Sequence, residues 1–269
     1  FVNLGYMTED GLLKESSKNS YNTNLQYERY MITSKINVNV MDNLKMGATI
    51  IGRIEEGNQP GNGWKEIFNN LYSTSNIAYP IYNPNGSFGG DNLNDQNLLA
   101  RTISSGYTED LARDGWGNVT LDHNMDWLLE GLSARMVGNI SFQSRSALVR
   151  SKQEPVFQYI PSITGSGGSY EQFGKTSTQI NSFVGVSNYQ SMYGQLALNY
   201  VKTINKAHTI EGNLFADAGE VLDNYLLPEK PVNINIEGKY DYQKKYFAQA
   251  SVSRSYSDRL APGKRWGTF

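Results

Sequence analysis

Residues 231–269 read PVNINIEGKYDYQKKYFAQASVSRSYSDRLAPGKRWGTF. Val232, Ile234, Ile236, Gly238, Tyr240 and Tyr242 take alternate positions, with Asn233, Asn235, Glu237, Lys239 and Asp241 between them. Side chains alternate across a strand, so this spacing predicts a ribbon with one apolar face and one wet face. Gln243, Lys244 and Lys245 make a short polar break. Tyr246, Ala248, Ala250 and Val252 then resume the apolar side against Gln249, Ser251 and Ser253. Two strands joined by a very short turn, each patterned over about ten residues, match the repeating unit of a transmembrane β-barrel.

The same unit occurs three more times. Ile32, Ser34, Ile36, Val38 and Val40 lead through Met41-Asp42-Asn43 into Leu44, Met46, Ala48, Ile50, Gly52 and Ile54. Val119, Leu121, His123 and Met125 lead through residues 126–131 into Leu132, Ala134, Met136, Gly138, Ile140 and Phe142, with Val137 the exception on the polar side. Met192, Gly194, Leu196, Leu198 and Tyr200 lead through residues 202–206 into Ile210, Gly212, Leu214, Ala216 and Ala218, where Phe215 interrupts the polar side. Residues 1–8 add a further strand, which gives about nine in all, each near the span of a membrane strand. Between the pairs the connections are long: residues 14–28, 57–115 and 144–188 read as loops, with a brief helical spacing from Trp64 to Tyr72. Short turns at one end and long loops at the other is the asymmetry of an outer-membrane barrel. A soluble β-sandwich also alternates, but its strands usually run to only ~5–6 residues.

Composition agrees with a barrel and excludes other classes. The chain has 269 residues, 18 Tyr, 26 Gly, no Cys and a formal net charge of −2. No disulfide framework, thiolate metal site or cysteine nucleophile is available. The balanced charge carries no nucleic-acid footprint. Mean hydropathy is −0.51, and there is no apolar run long enough for a membrane helix. A barrel wall does not need one, because only every second residue meets lipid. Tyr suits positions with one apolar end and one wet end, as at a membrane interface.

The ending Tyr246-Phe247-Ala248-Gln249-Ala250-Ser251, continuing to Ala261-Pro262-Gly263-Lys264-Arg265-Trp266-Gly267-Thr268-Phe269, resembles the SusC/RagA-like TonB-dependent outer-membrane transporters of Bacteroidetes. So do Gly5-Tyr6 with Gly11, Tyr79-Pro80 with Asn83-Pro84-Asn85-Gly86-Ser87, Gly131-Leu132, and Asn199-Tyr200 with His208. Ser253, Ser255 and Tyr256 depart from that family, which usually has Arg, Asp and Gly there. The resemblance implies that residues 1–269 are part of a barrel of roughly 22 strands, with the plug and TonB box outside this stretch. It also implies a multi-pass outer-membrane location, a SusD-like surface lipoprotein and TonB as partners, and import of oligosaccharides. Oligopeptide import by the same architecture, or a soluble or surface β-rich carbohydrate-binding module, are the alternatives. No cofactor and no enzymatic reaction are implied.

Site residues follow from these readings. The polar set Asn37, Asn39, Arg135, Asn139, Asn233 and Glu237 is expected to face the barrel lumen. Trp64, Tyr72, Tyr79, Tyr82, Phe88 and Trp116 lie in or beside the longest loop. Such rings among Asn and Asp suit sugar stacking; packing of the loop on itself is the plainer explanation. His123 and His208 each sit in a strand near a turn, and no catalytic partner pairs with either. Asp91-Asn92-Leu93-Asn94-Asp95 is oxygen-rich, but Thr102 stands where a calcium loop of the EF-hand type needs Glu. Gly165-Ser166-Gly167-Gly168 lacks the Lys-Ser/Thr of a phosphate loop. No metal site is expected.

Overall fold

The computed structural model describes residues 1–165, 167–224 and 226–269. Ser166, within the glycine-rich segment just named, lies outside the described residues. The chain is nearly all antiparallel β. Ten strands form one sheet in the order β1 (Val2–Asp10), β2 (Gln26–Met41), β3 (Leu44–Pro60), β4 (Gly106–Asn124), β5 (Leu132–Ser151), β8 (Ile180–Ile204), β9 (His208–Asp223), β10 (Val232–Tyr242), β11 (Tyr246–Tyr256) and β12 (Trp266–Thr268). Neighbours in space are neighbours in sequence, except that a separate hairpin, β6 (Val156–Pro161) with β7 (Gly168–Phe173), interrupts between β5 and β8. Two helices, α1 (Trp64–Ser73) and α2 (Leu98–Ile103), lie between β3 and β4.

The sheet is open, with β1 on one edge and β12 on the other. Nine strands were expected; ten stand in the sheet and two in the side hairpin among the described residues. The wall strands are also longer than the apolar alternation suggested. β4 begins at Gly106 and β5 runs to Ser151, so residues 106–115 and much of 144–188 are strand rather than loop. In Gly106–Trp116 the face that is apolar lower down carries Tyr107, Glu109, Leu111 and Arg113. Ladder pairing needs only backbone groups, so it persists where the side chains stop alternating in polarity.

Register settles the two faces. Asn37 pairs with Gly47, Gly47 with Thr120, Thr120 with Val137, Val137 with Gln195, Gln195 with Asp217 and Asp217 with Asn233. Directly paired residues share a face, so one polar surface runs from β2 to β10. The opposite surface carries the apolar columns. Its side chains are not covered: Ile50 is 59% exposed, Ile236 60% and Met192 62%. Monomeric soluble proteins rarely leave so large a contiguous apolar patch in water.

The turns at one end are tight. Asn205 and Lys206, and again Gln243 and Lys244, have positive φ, and Ala207 N–H and Lys245 N–H close these turns onto Ile204 and Tyr242. Two central residues at positive φ are the type I′ geometry that matches strand twist. Asp42-Asn43 makes a third two-residue turn beside a bulge at Asn39/Met41. At the other end the connections are long, and the buried core of the molecule is there, not in the sheet: Ile67, Ala100, Ile103 and Val156 are its buried apolar members, with Ala112 at the top of β4.

Candidate functional site

The long loops build one cap over the end of the sheet. Asn97 is its pin. Its side-chain oxygen accepts from Leu99 N–H (3.0 Å) and Ala100 N–H (3.2 Å), capping α2, while its amide donates to the carbonyls of Ile81 (3.0 Å) and Gly89 (2.9 Å). Asn at a helix N-cap satisfies donors the helix cannot pair itself. Asn83 ties the same loop to the β6–β7 hairpin by donating to Phe157 O (2.8 Å), and Phe157 N–H donates to Phe88 O (2.8 Å). Val156 is completely buried against Gly90, where a Cβ would come within 2.4 Å of its Cγ2. Glu66 of α1 pairs with Arg101 of α2. Asn19, from the β1–β2 connection, donates to Ile103 O (2.5 Å).

The loop aromatics take separate places in this cap. Tyr82 and Phe88 form an isolated bridge and stack, with centroids 5.4 Å apart and planes at 25°. Tyr79 is half-buried and its hydroxyl accepts from Leu98 N–H (3.1 Å). Trp64 meets Phe68 edge-on at 6.2 Å, with Lys65 over its ring. Tyr72 stands exposed at the end of α1. Trp116 is not in the cap; it lies on the polar face of β4, beneath the Arg53 guanidinium at 5.9 Å. Among the described residues, then, ring contacts join Tyr82 with Phe88 but do not gather all six aromatics into one platform. A cavity of about 340 Å³ at the foot of the cap is lined by Glu66, Arg101, Ser105, Lys152, Glu154 and Ser177, among others. Its ion pairs, Glu66–Arg101 and Lys152–Glu154, balance its charge.

All six residues of the expected lumen-facing set fall on the polar face. Asn139 accepts from Asn118 (2.5 Å), Arg135 lies 3.4 Å from Asp122, and Asn233 donates to Asp217 (2.8 Å). Glu237 accepts from Asn213 (3.0 Å) and Gln249 (2.5 Å), and Lys239 lies 2.9 Å away. Asn37 and Asn39 stand exposed. The polar face is thus laced strand to strand by side chains.

The strongest electrostatic feature of that face was not visible in the sequence. The Asp114 side chain is 1% exposed and is held by two arginines: Arg53 from β3, whose Nε donates at 2.8 Å, and Arg145 from β5, whose Nη1 and Nη2 donate at 2.5 and 3.0 Å. Charge-assisted bonds of this geometry are the stronger kind, although both guanidinium groups stay partly exposed and screened. Only the register of β3, β4 and β5 brings these three together.

The remaining motifs take structural places. His123 Nε2 lies 3.2 Å from the Asn43 amide, and His208 Nδ1 lies 2.6 Å from the Tyr240 hydroxyl. Asp91 Oδ1 accepts from Leu93 N–H, Asn94 N–H and the Asn94 amide. The Asn94 N–H, helped by these other donors, holds the Asp91 carboxyl below its usual range.

No family model and no curated protein matches this chain. Among solved structures it is similar to a chain of the RagAB peptide transporter, with a TM-score of 0.52 and 11% identity. The match covers 99% of this chain and 31% of that one. At this identity the likeness is one of fold, and this chain spans less than a third of that chain's length.

Proposed function

We propose that this chain is part of the wall and the cap of an outer-membrane β-barrel transporter. One observation carries the reading: a continuous apolar sheet face left uncovered, on strands that have short turns at one end and long loops at the other. Lipid is the solvent in which such a face costs nothing, and strands satisfy their backbone groups there through the ladder. The 11 residues from Tyr246 to Tyr256, at ~3.4 Å each and a tilt near 40°, give about 29 Å of height, enough to cross the ~25 Å apolar band of such barrels. Tyr246 and Tyr256 are both aromatic and both on the apolar face, as interface girdles require.

In this reading more strands pair with the edges beyond β1 and β12, the polar face lines the lumen, and the cap faces the outside. Asn37, Asn39, Arg135, Asn139, Asn233 and Glu237 then border the lumen. The cargo is an oligosaccharide, met first by the cap aromatics Trp64, Tyr72, Tyr79, Tyr82 and Phe88 and then by Trp116 on the wall. A SusD-like lipoprotein captures it, and TonB supplies the energy through a plug domain. The peptide transporter among the similar structures supports a second reading, with oligopeptide cargo on the same path. Binding of the intact protein to a glycan panel and a peptide panel separates the two. Single Ala substitutions of the cap aromatics are expected to weaken glycan binding with assembly intact, and unchanged binding in all of them removes the stacking role. Purification from the aqueous fraction without detergent would overturn the barrel itself.

A further inference from the structure

One turn departs from its neighbours. Three of the four short connections are polar: Asp42-Asn43, Asn205-Lys206-Ala207 and Gln243-Lys244-Lys245. The fourth, between β4 and β5, contains Trp127-Leu128-Leu129, and these side chains are 69%, 61% and 49% exposed. The turn is built, not slack. Leu128 and Leu129 N–H donate to Met125 O at 2.8 and 3.1 Å, and Leu132 N–H donates to Leu129 O at 2.9 Å. Gly131 has φ +89°, and a Cβ there would lie 1.9 Å from the Val201 carbonyl oxygen, so the position demands glycine. The flanking carboxylates are engaged: Asp126 accepts from Gly131 N–H at 2.7 Å, and Glu130 pairs with Lys202.

The turn also continues the apolar face. Leu121 and His123 lead into it on β4, and Leu132, Ala134 and Met136 lead out on β5. At the same end of the sheet the apolar face carries a row of rings, His208 to Tyr242 at 4.8 Å and Tyr242 to Tyr246 at 6.4 Å. Trp and Tyr concentrate where apolar chains give way to headgroups.

We propose that Trp127, Leu128 and Leu129 anchor this end of the sheet in the membrane, seated among the phospholipid headgroups of the leaflet that borders the short turns. The inference rests on the barrel reading above and commits to phospholipid as the occupant. Continuity with the lipid-facing columns puts the turn at the interface. The pairing of Asp126 with Gly131 N–H and of Glu130 with Lys202 of β8 lowers the cost of bringing it there. An anchor at the head of β5 would fix the depth of the wall where tilt alone leaves it free.

Photo-crosslinking in intact cells tests this. A diazirine-bearing residue is placed singly at Leu128, at Ile236 on the apolar face, at Asn235 on the polar face, or at Asn43 in a polar turn of the same end. Only protein that resists urea extraction from the membrane is scored. Phospholipid adducts are expected from 128 and 236, several-fold above those from 235 and 43. Adducts from 236 but only water-quenched or protein-linked product from 128 overturn the anchor and leave the barrel reading standing. Equal lipid yield from 128 and 43 also overturns it, since the apolar triplet would then add nothing. No lipid adduct from either 128 or 236 overturns the barrel reading and the anchor with it.

Discussion

The wall and the cap are stabilised in opposite ways. The wall has a dense ladder of backbone bonds and leaves its apolar side chains uncovered, whereas the cap is assembled from two short helices, a small hairpin and loops and holds most of the buried core, from Ile67 and Ala100 to Val156. In the wall, side-chain burial is deferred to the surroundings; in the cap it is completed within the chain. The hydrophobic effect scales with apolar area removed from water, so the wall depends on what covers it from outside, whereas the cap's core is covered by the chain itself. The same contrast governs polar groups. The wall pairs Asn, Glu and Arg across strands on an open face, and the cap buries Asn83 and Asn97 and pairs their amide N–H groups with backbone carbonyls.

The largest expected effect tests the wall. Ile236→Arg, near the middle of β10 on the apolar face, should cost about 2–4 kcal/mol of folding stability in lipid, and Asn235→Arg on the polar face far less. Equal costs, read from urea titrations in vesicles, would break the distinction between the faces. Next comes the cap's pin. Asn97→Ala removes the α2 cap and takes the Asn97 donor from the carbonyls of Ile81, which keeps Gly89 N–H, and Gly89, for about 2–3 kcal/mol. Amide exchange should quicken across residues 79–103 while β9 and β10 stay protected; quickening throughout would mean that wall and cap are one cooperative unit. A double-mutant cycle on Tyr82→Ala and Phe88→Ala should give a coupling of about 0.5–1.5 kcal/mol, and zero coupling would deny the stacked pair any part in holding the loop.

The smallest effect is one of pH. The carboxyl of Asp91 is held below the ordinary 3.8, first by the Asn94 N–H. A lowered carboxylate contributes its stability above the unfolded value and loses it as pH falls through the folded one. Protection of the Leu93 and Asn94 amides should therefore hold from neutrality down to about pH 4 and fade below it, and Asp91→Ala should abolish that acid step. A loss of protection near neutrality instead would place the cause elsewhere.

Much of the wall was legible because period-2 alternation survives wherever one face must be apolar: Val232 to Tyr242 and Leu132 to Phe142 show it directly. The brief helical spacing from Trp64 was also readable, and α1 forms there. Strand ends were not. Above Trp116 and Phe142 the ladder continues through Glu109, Arg113 and Ser146, where no apolar demand shapes the sequence. The β6–β7 hairpin and α2 were hidden for a related reason, since their burial is against distant loop segments such as Gly89 and Phe88.

By itself the sequence determined the alternation, the placing of short turns against long connections, and the polarity of each face, because these follow from backbone geometry and local side-chain order. Tertiary structure alone decided the partners. Asp114 meets Arg53 and Arg145 because register aligns three strands. Asn97 joins Ile81 to α2 because the chain folds back upon it. The loop aromatics divide between cap and wall because packing, not sequence proximity, sets which rings meet. Interactions between residues far apart in the chain depend on closure and register, which no local pattern encodes.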